Sequence, residues 1–298
     1  MISEVKLRIF GRMCHLVIDN SDERGAERLT RCQTELERLD SKFSPYHPKS
    51  ITSQINQGAG TGSIVPLDPE AVSLFSYIDA LWDESNHLFD PTVRILRDCY
   101  DSDGQLHAST EQLQGMLKLV GWNKIEISAE GAHMSQRGML LDMNACIRPY
   151  ALDSIARKLR TQGVKSAYLE LGEDVICIGK QSDGANWLAG ARIPQGNRAG
   201  ILRLKVNDKG FALRGNIEQT SLQNGEYFGR VLSPVDGIAI PGLLSVAVIA
   251  DNCLTACSAA SIARVKTEAS GLKWLEKLGM PWLAVDRQFN CHGPLARR

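Results

Sequence analysis

Ala167-Tyr168-Leu169-Glu170-Leu171-Gly172-Glu173-Asp174-Val175-Ile176-Cys177-Ile178 is the stretch that decides the fold class. Two short apolar runs flank a Gly-Glu turn, which describes two strands joined directly with no helix between them. Just upstream, 149–162 reads as a helix: Pro149 opens it, Ile155 and Leu159 point inward, and Gly163 ends it. A helix is thus followed by paired strands, not by a single strand and a further helix.

Working outward, further strand patterns fall at 187–193, 201–206, 211–213, 227–232 and 243–249, before helices at 252–264 and 267–278 and a last strand at 282–285. On the N-terminal side, alternation from Val5 to Ile18 predicts strand. Asn20-Ser21-Asp22 then opens an amphipathic helix carrying Ala26, Leu29, Cys32, Leu36 and Leu39. A second helix at about 69–85 places Val72, Phe75, Ile78 and Trp82 on one side, and Phe89-Asp90-Pro91-Thr92 breaks it. A short helix at 110–119 and strands at 124–127 and 139–141 complete the reading. Strands in groups with occasional helices predict an α+β fold of mixed sheets and packed helices, not a doubly wound parallel sheet. There is no internal repeat and no convincing linker, so 1–298 is read as a single domain, with two intertwined subdomains the alternative.

With 298 residues, 43% hydrophobic and 23% charged, the chain has the composition of a protein with a sizeable core. Lys plus Arg number 34 and Asp plus Glu 34, without a basic block, so no electrostatic footprint for nucleic acid or an anionic membrane is present. A small ligand or a protein partner is expected instead. No Cys-x-x-Cys occurs among the eight cysteines, and several lie in apolar runs, which predicts reduced thiols and a cytoplasmic location. The N-terminus alternates charged and apolar residues in the manner of a half-buried strand, not of a signal peptide. No apolar run reaches the 18 residues of a membrane span.

Two local patterns invite a chemical reading. Ala250-Asp251-Asn252-Cys253-Leu254-Thr255-Ala256 places an acid and a hydroxyl four positions apart. If a helix begins near Asp251, both oxygens share one face and suit Mg²⁺; alternatively, Asp251 caps the helix and Thr255 bonds its backbone. Gly58-Ala59-Gly60-Thr61-Gly62-Ser63 follows no clear strand and lacks a Gly-Lys-Ser/Thr ending, so it reads as a connector and not as a phosphate loop.

Taken in order, five islands resemble the ApbE family, the Mg²⁺-dependent FAD:protein FMN transferases, over nearly the whole length. The Phe-Ser-x-Tyr loop looks like Phe43-Ser44-Pro45-Tyr46, with Ser50 and Asn56 following, and Phe89-Asp90-Pro91-Thr92-Val93 is unaltered. Asp-Leu-Gly-Ala-x-x-Lys-Gly-Tyr-Ala-x-Asp is similar to the stretch from Asp142 to Asp153, Asn-Leu-Gly-Gly-Asp to the stretch from Glu170 to Asp174, and Ala-Asp-Ala-Leu-Ala-Thr-Ala to that from Ala250 to Ala256. The resemblance implies an ApbE-like, T-fold-related architecture with a flavin-nucleotide cleft. It implies FAD with Tyr46 against the isoalloxazine, Leu88, Phe89, Asp90, Asp142, Arg148 and Val231 around the nucleotide, and Mg²⁺ on the Ala145 carbonyl, Asp251 and Thr255. It further implies transfer of FMN to a Ser/Thr hydroxyl of an acceptor protein, with release of AMP.

The departures cluster around the same cleft. Lys-Gly is Arg148-Pro149, Gly-Gly is Gly172-Glu173, and Arg12, Arg214 and Arg230 stand where the family has small or neutral-capable groups. A more cationic cleft is expected. Two functions of different class follow: a working FMN transferase, or a catalytically silent relative that binds a flavin nucleotide or a partner protein through the same cleft.

Overall fold

The computed structural model describes residues 2–19, 24–195, 198–223 and 225–297, so the helix start expected at 20–22 lies outside the described residues. In chain order come β1 (Ile2–Ile9), β2 (Arg12–Asp19), α1 (Gly25–Phe43), α2 (Ile51–Gln57), α3 (Pro69–Glu84), α4 (Thr110–Leu117), β3 (Ile125–Ser128), β4 (Gly131–Met134) and α5 (Asn144–Thr161). Then follow β5 (Ala167–Leu171), β6 (Asp174–Ile178), β7 (Leu188–Gln195), β8 (Arg198–Lys205), β9 (Gly210–Arg214), β10 (Ser221–Gln223), β11 (Glu226–Phe228) and β12 (Ser245–Ala250). The last elements are α6 (Cys253–Arg264), α7 (Glu268–Leu278), β13 (Trp282–Val285) and β14 (Cys291–His292).

Eight strands form one sheet in the order β1-β2-β5-β6-β9-β12-β13-β14, antiparallel at every pairing. The 167–178 stretch is the β5–β6 hairpin at its centre, with Leu171 opposite Asp174 across the Gly172-Glu173 turn. Every residue of β6 and β12 is buried, so both faces of the sheet are covered there. The two-residue period of a strand sorts the side chains. Val246, Val248 and Ala250 pack against α6 and α7, while Ala247 and Ile249 join Phe211 and Leu213 beneath the β7–β8 hairpin. At the other end, Leu16, Ile18 and Leu169 meet Leu29, Leu36 and Ile155 from α1 and α5.

Several sequence expectations shift. The alternation from Val5 to Ile18 is interrupted by a two-residue turn in which Phe10 and Gly11 take φ of 50° and 69°, so it makes two strands with Ile9 opposite Arg12. On α3 the buried stripe is Ala71, Leu74, Phe75, Ile78 and Leu81, and Val72 is 44% exposed, one position off the inward face. Met139 and Leu141 are buried and Leu140 is half-buried, but 139–141 belong to no strand, and the Leu141 backbone is bonded on both sides by the Asn56 side chain. Pro149 lies inside α5 and does not open it, since the helix begins at Asn144. Among the described residues no helix is long and apolar enough to cross a membrane.

Candidate functional site

A cleft opens where the β1–β2 turn, the loop after α3, the start of α5, the end of β9 and the last turns of α6 converge. Two adjoining cavities of about 480 and 410 Å³ share Arg12, Arg97, Arg148, Arg214, Arg230 and Arg264 in their walls. Local folding places each wall. The β1–β2 turn brings in Phe10, Gly11 and Arg12, with Tyr46 alongside as a rim residue that is 63% exposed. Asn86 and His87 both take left-handed φ as the chain leaves α3, and that reversal aims Leu88, Phe89 and Asp90 at the cleft.

Asp90 itself is committed to the scaffold. Its Oδ1 accepts from the Thr92 N–H and hydroxyl at 2.8 and 2.6 Å, and its Oδ2 from the Trp122 N–H at 2.8 Å. The backbone of this turn is tied to the next island, because the Asp142 N–H donates to the Pro91 carbonyl at 3.0 Å. Asp142 Oδ1 accepts from the Asn144 N–H at the start of α5, and its Oδ2 lies 3.2 Å from Arg94 Nε. Asn144 Oδ1 is buried and has no partner among the described residues. Val231 and Leu232 close the opposite side with Arg230.

The floor is built by α5 and α6. In a helix the N–H of residue 149 would bond the carbonyl of residue 145, but Pro149 has no N–H. The Ala145 carbonyl is therefore left over, and it accepts from Cys257 Sγ of α6 at 3.0 Å. Burial raises the Cys257 thiol to about 11, so it stays protonated at neutral pH and serves as that donor. Its sulfur is in turn contacted by Arg214 Nη2, and Ser261, one helical turn further on, has its Oγ 3.9 Å away.

Arg214 is held from behind. Nη1 lies 2.7 Å from Asp174 Oδ1, Nη2 donates to Oδ2 at 2.9 Å, and Nη1 also donates to the Leu213 carbonyl at 2.9 Å. Burial pulls this guanidinium down, but the Asp174 carboxylate outweighs it and holds Arg214 well above the ordinary range. Its neighbours fare differently. Arg264 is lowered to about 10 by burial and then by the charges of Arg214 and Arg97, and Arg148 is lowered by burial and then by Arg214. Arg264 threads between two glycines, since a Cβ at Gly215 would meet its guanidinium carbon at 2.8 Å and one at Gly229 its Nη2 at 2.8 Å. Among the described residues, Arg148 and Arg264 have only backbone carbonyl partners, Asn144 O and Leu243 O. Of these three closely set guanidinium groups, Arg214 alone among the described residues is paired with a carboxylate, that of Asp174, and Arg148 and Arg264 leave an excess of positive charge that an anion would offset.

Residues 4–283 match the ApbE family. The chain belongs to the ApbE family. Among its relatives is an FAD:protein FMN transferase of Chlamydia muridarum, 25% identical over 251 residues that span 81% of this chain and 77% of that protein. One of Haemophilus influenzae is 23% identical over 86% of this chain and 77% of its own length. The fold matches the flavinyl transferase ApbE of Pseudomonas stutzeri in its apo form, with a TM-score of 0.84 at 21% identity, over 98% of this chain and 94% of that one. The ApbE protein of Thermotoga maritima superimposes with a TM-score of 0.80 at 23% identity, over 98% and 97% of the two chains. The α+β, ApbE-like architecture expected from the sequence is therefore found.

Of the residues that the ApbE resemblance implicated, Tyr46, Leu88, Phe89, Asp90, Asp142, Ala145, Arg148 and Val231 line the cleft, whereas Asp251 and Thr255 do not. Asp251 precedes the helix: Asn252 is the extended N-cap residue, and its Oδ1 accepts from the Thr255 N–H at 2.8 Å. The carboxylate is 88% exposed and pairs with Lys209 at 2.5 Å. The condition for an i, i+4 pair, both residues inside the helix, is not met. The α6 pair that reaches Ala145 is Cys257 and Ser261, six positions later. A protonated thiol beside a guanidinium is a poor place for Mg²⁺, which takes hard, preferably anionic, oxygens. The residues present do not fit the metal. Arg94, Arg97 and Arg264 escaped the sequence reading: Arg94 and Arg97 follow the Phe89–Val93 island directly but lie outside it, and only tertiary folding brings Arg264 beside Arg148 and Arg214.

Proposed function

We propose that this chain binds FAD in the arginine-lined cleft and transfers its FMN moiety to a Ser/Thr hydroxyl of an acceptor protein. The observation that carries this reading is the group of guanidinium side chains at Arg148, Arg214 and Arg264 inside a cleft of the ApbE fold, of which only Arg214 is paired with a carboxylate among the described residues. The pyrophosphate of FAD has negative charges that would offset this positive charge, and planar guanidinium groups match its oxygens in pairs. Tyr46 at the rim offers an aromatic face to the isoalloxazine.

In the transfer, the acceptor oxygen bonds the FMN phosphorus, the bridging P–O bond to the adenylate breaks, AMP departs with that oxygen, and the hydroxyl proton passes to solvent. Arginines that touch the pyrophosphate would also stabilise the charge that gathers on the departing AMP, and positioning plus positive charge meets most of what such a transfer asks of a protein. The unpaired cysteines favour an acceptor met in the cytoplasm.

The second reading, binding without turnover, is favoured by one observation: the Ala145 carbonyl is occupied by Cys257 instead of being free for a metal. One experiment separates the two. FAD is added together with an acceptor carrying the family's Ser/Thr target sequence, and flavin fluorescence is read on the denatured acceptor. Fluorescence that stays with the acceptor supports transfer. FAD binding without labelling supports the silent reading, and no FAD binding sinks both.

A further inference from the structure

We infer that the Arg214 guanidinium fills the cation position of this cleft, so that the chain takes a pyrophosphate-containing ligand without a divalent metal. The inference deepens the FAD reading and rests on it. Three features place a positive group here permanently. Arg214 is anchored from behind by Asp174, whose side chain is only 3% exposed, and by the Leu213 carbonyl, so it cannot swing away with solvent. Its Nη2 reaches the very sulfur that donates to the Ala145 carbonyl, so the guanidinium stands at the meeting point of α5 and α6. That carbonyl is available only because Pro149 supplies no N–H to it.

The wall of the larger cavity is unfavourable to a second cation. Arg148 and Arg264 lie near enough to Arg214 for its charge to disfavour theirs, and a divalent ion would add to that repulsion. The acids of the larger cavity wall are engaged elsewhere: Asp90 holds Thr92 and Trp122, and Asp142 pairs with Arg94. Cys257, whose thiol already donates to the Ala145 carbonyl, and Ser261 offer a sulfur and a hydroxyl where a carboxylate would suit the metal. An anion is welcome here for the same reasons. It would relieve the repulsion among the guanidinium groups.

The test is calorimetric titration of the intact protein with FAD, inorganic pyrophosphate and MgCl₂, each in EDTA-treated buffer, and of FAD again with Mg²⁺ restored. FAD is expected to bind with the same Kd with and without Mg²⁺, and MgCl₂ alone to give no heat of binding. FAD binding that requires Mg²⁺ overturns the inference. If FAD fails in both buffers while pyrophosphate binds in EDTA, the flavin reading falls and the metal-free pyrophosphate site stands; if neither binds, both fall. Arg214→Met is expected to weaken binding about ten- to a hundredfold, the range for losing a charged hydrogen bond. Because that variant leaves Asp174 unpaired, Arg214→Met/Asp174→Asn is titrated beside it. Unchanged affinity in the folded double variant overturns the role of Arg214.

Discussion

Asp174→Asn removes the carboxylate that pairs with Arg214 and keeps the shape of the side chain. Asp174 is 3% exposed and Arg214 16%, so the pair is screened little by water. Removing one partner of a buried pair costs about 3–5 kcal/mol, because the other charge stays buried and uncompensated. Arg214 keeps its bond to the Leu213 carbonyl and its contact with Cys257, which points to the lower end, about 3 kcal/mol. At roughly 2 °C per kcal/mol for a chain of this size, the melting temperature should fall by about 6 °C. The double variant Asp174→Asn/Arg214→Met exchanges the pair for neutral groups of similar volume, a change that is often neutral, so it should melt above the single variant. Added pyrophosphate should recover part of the loss in Asp174→Asn, by about 2.7 kcal/mol at a hundredfold excess over Kd. Thermal melts of the three proteins, with and without pyrophosphate, decide the matter. A single variant that loses less than about 2 °C, or a double variant that melts below it, refutes the claim that Asp174 exists to neutralise Arg214.

Three further predictions concern other parts of the site. Burial pushes the Asp153 carboxyl up to about 6, against the pull of the Cys253 and Leu254 N–H groups it accepts from, so its contribution to stability is full below about pH 4 and is lost as pH rises through 6. The melting temperature of the wild-type protein relative to Asp153→Asn should therefore fall between pH 4 and 6, and a difference that is flat or rises over that window contradicts the assignment. Tyr46→Ala removes a rim residue that is 63% exposed, so FAD affinity measured by fluorescence titration should weaken by roughly two- to tenfold while the melting temperature holds; equal affinity would remove Tyr46 from the flavin site. Asp251→Ala should leave both FAD affinity and melting temperature unchanged, since this carboxylate faces solvent beside Lys209; loss of FAD binding in a titration would restore it to the site.

The fold was legible where local pattern and tertiary demand agree. The 167–178 stretch reads as paired strands because both of its runs are apolar enough to be covered on two faces, and the structure buries all of β6. The reading failed where one residue changes the geometry without changing the pattern. Phe10-Gly11 turns a single alternating run into a hairpin, which needs left-handed φ at two successive positions, one of them not glycine. Val72 shows the same limit on a helix, where a shift of one position is about 100° and moves a residue from core to solvent.

The site fails to read in a more instructive way. Asp251/Thr255 and Cys257/Ser261 have identical i, i+4 spacing, and letters alone favour the first pair because it contains an acid. The N-cap decides otherwise: Asn252 bonds the Thr255 N–H, which leaves Asp251 outside the helix and sets which later positions face α5. The sequence offers two adjacent capping residues, Asp251 and Asn252, and the fold uses the second. The consequence reaches the chemistry. Once the helix is counted from Asn252, the residue beside the Ala145 carbonyl is a thiol, and the sequence departures at Arg148-Pro149 and Arg214 become one arrangement. Pro149 frees the carbonyl, Cys257 occupies it, and Arg214 brings a fixed charge to the same point, with Gly215 leaving room for Arg264. Arg148, Pro149 and Arg214, which look like separate departures in the sequence, thus meet Cys257 and Arg264 of α6 in a single cationic floor.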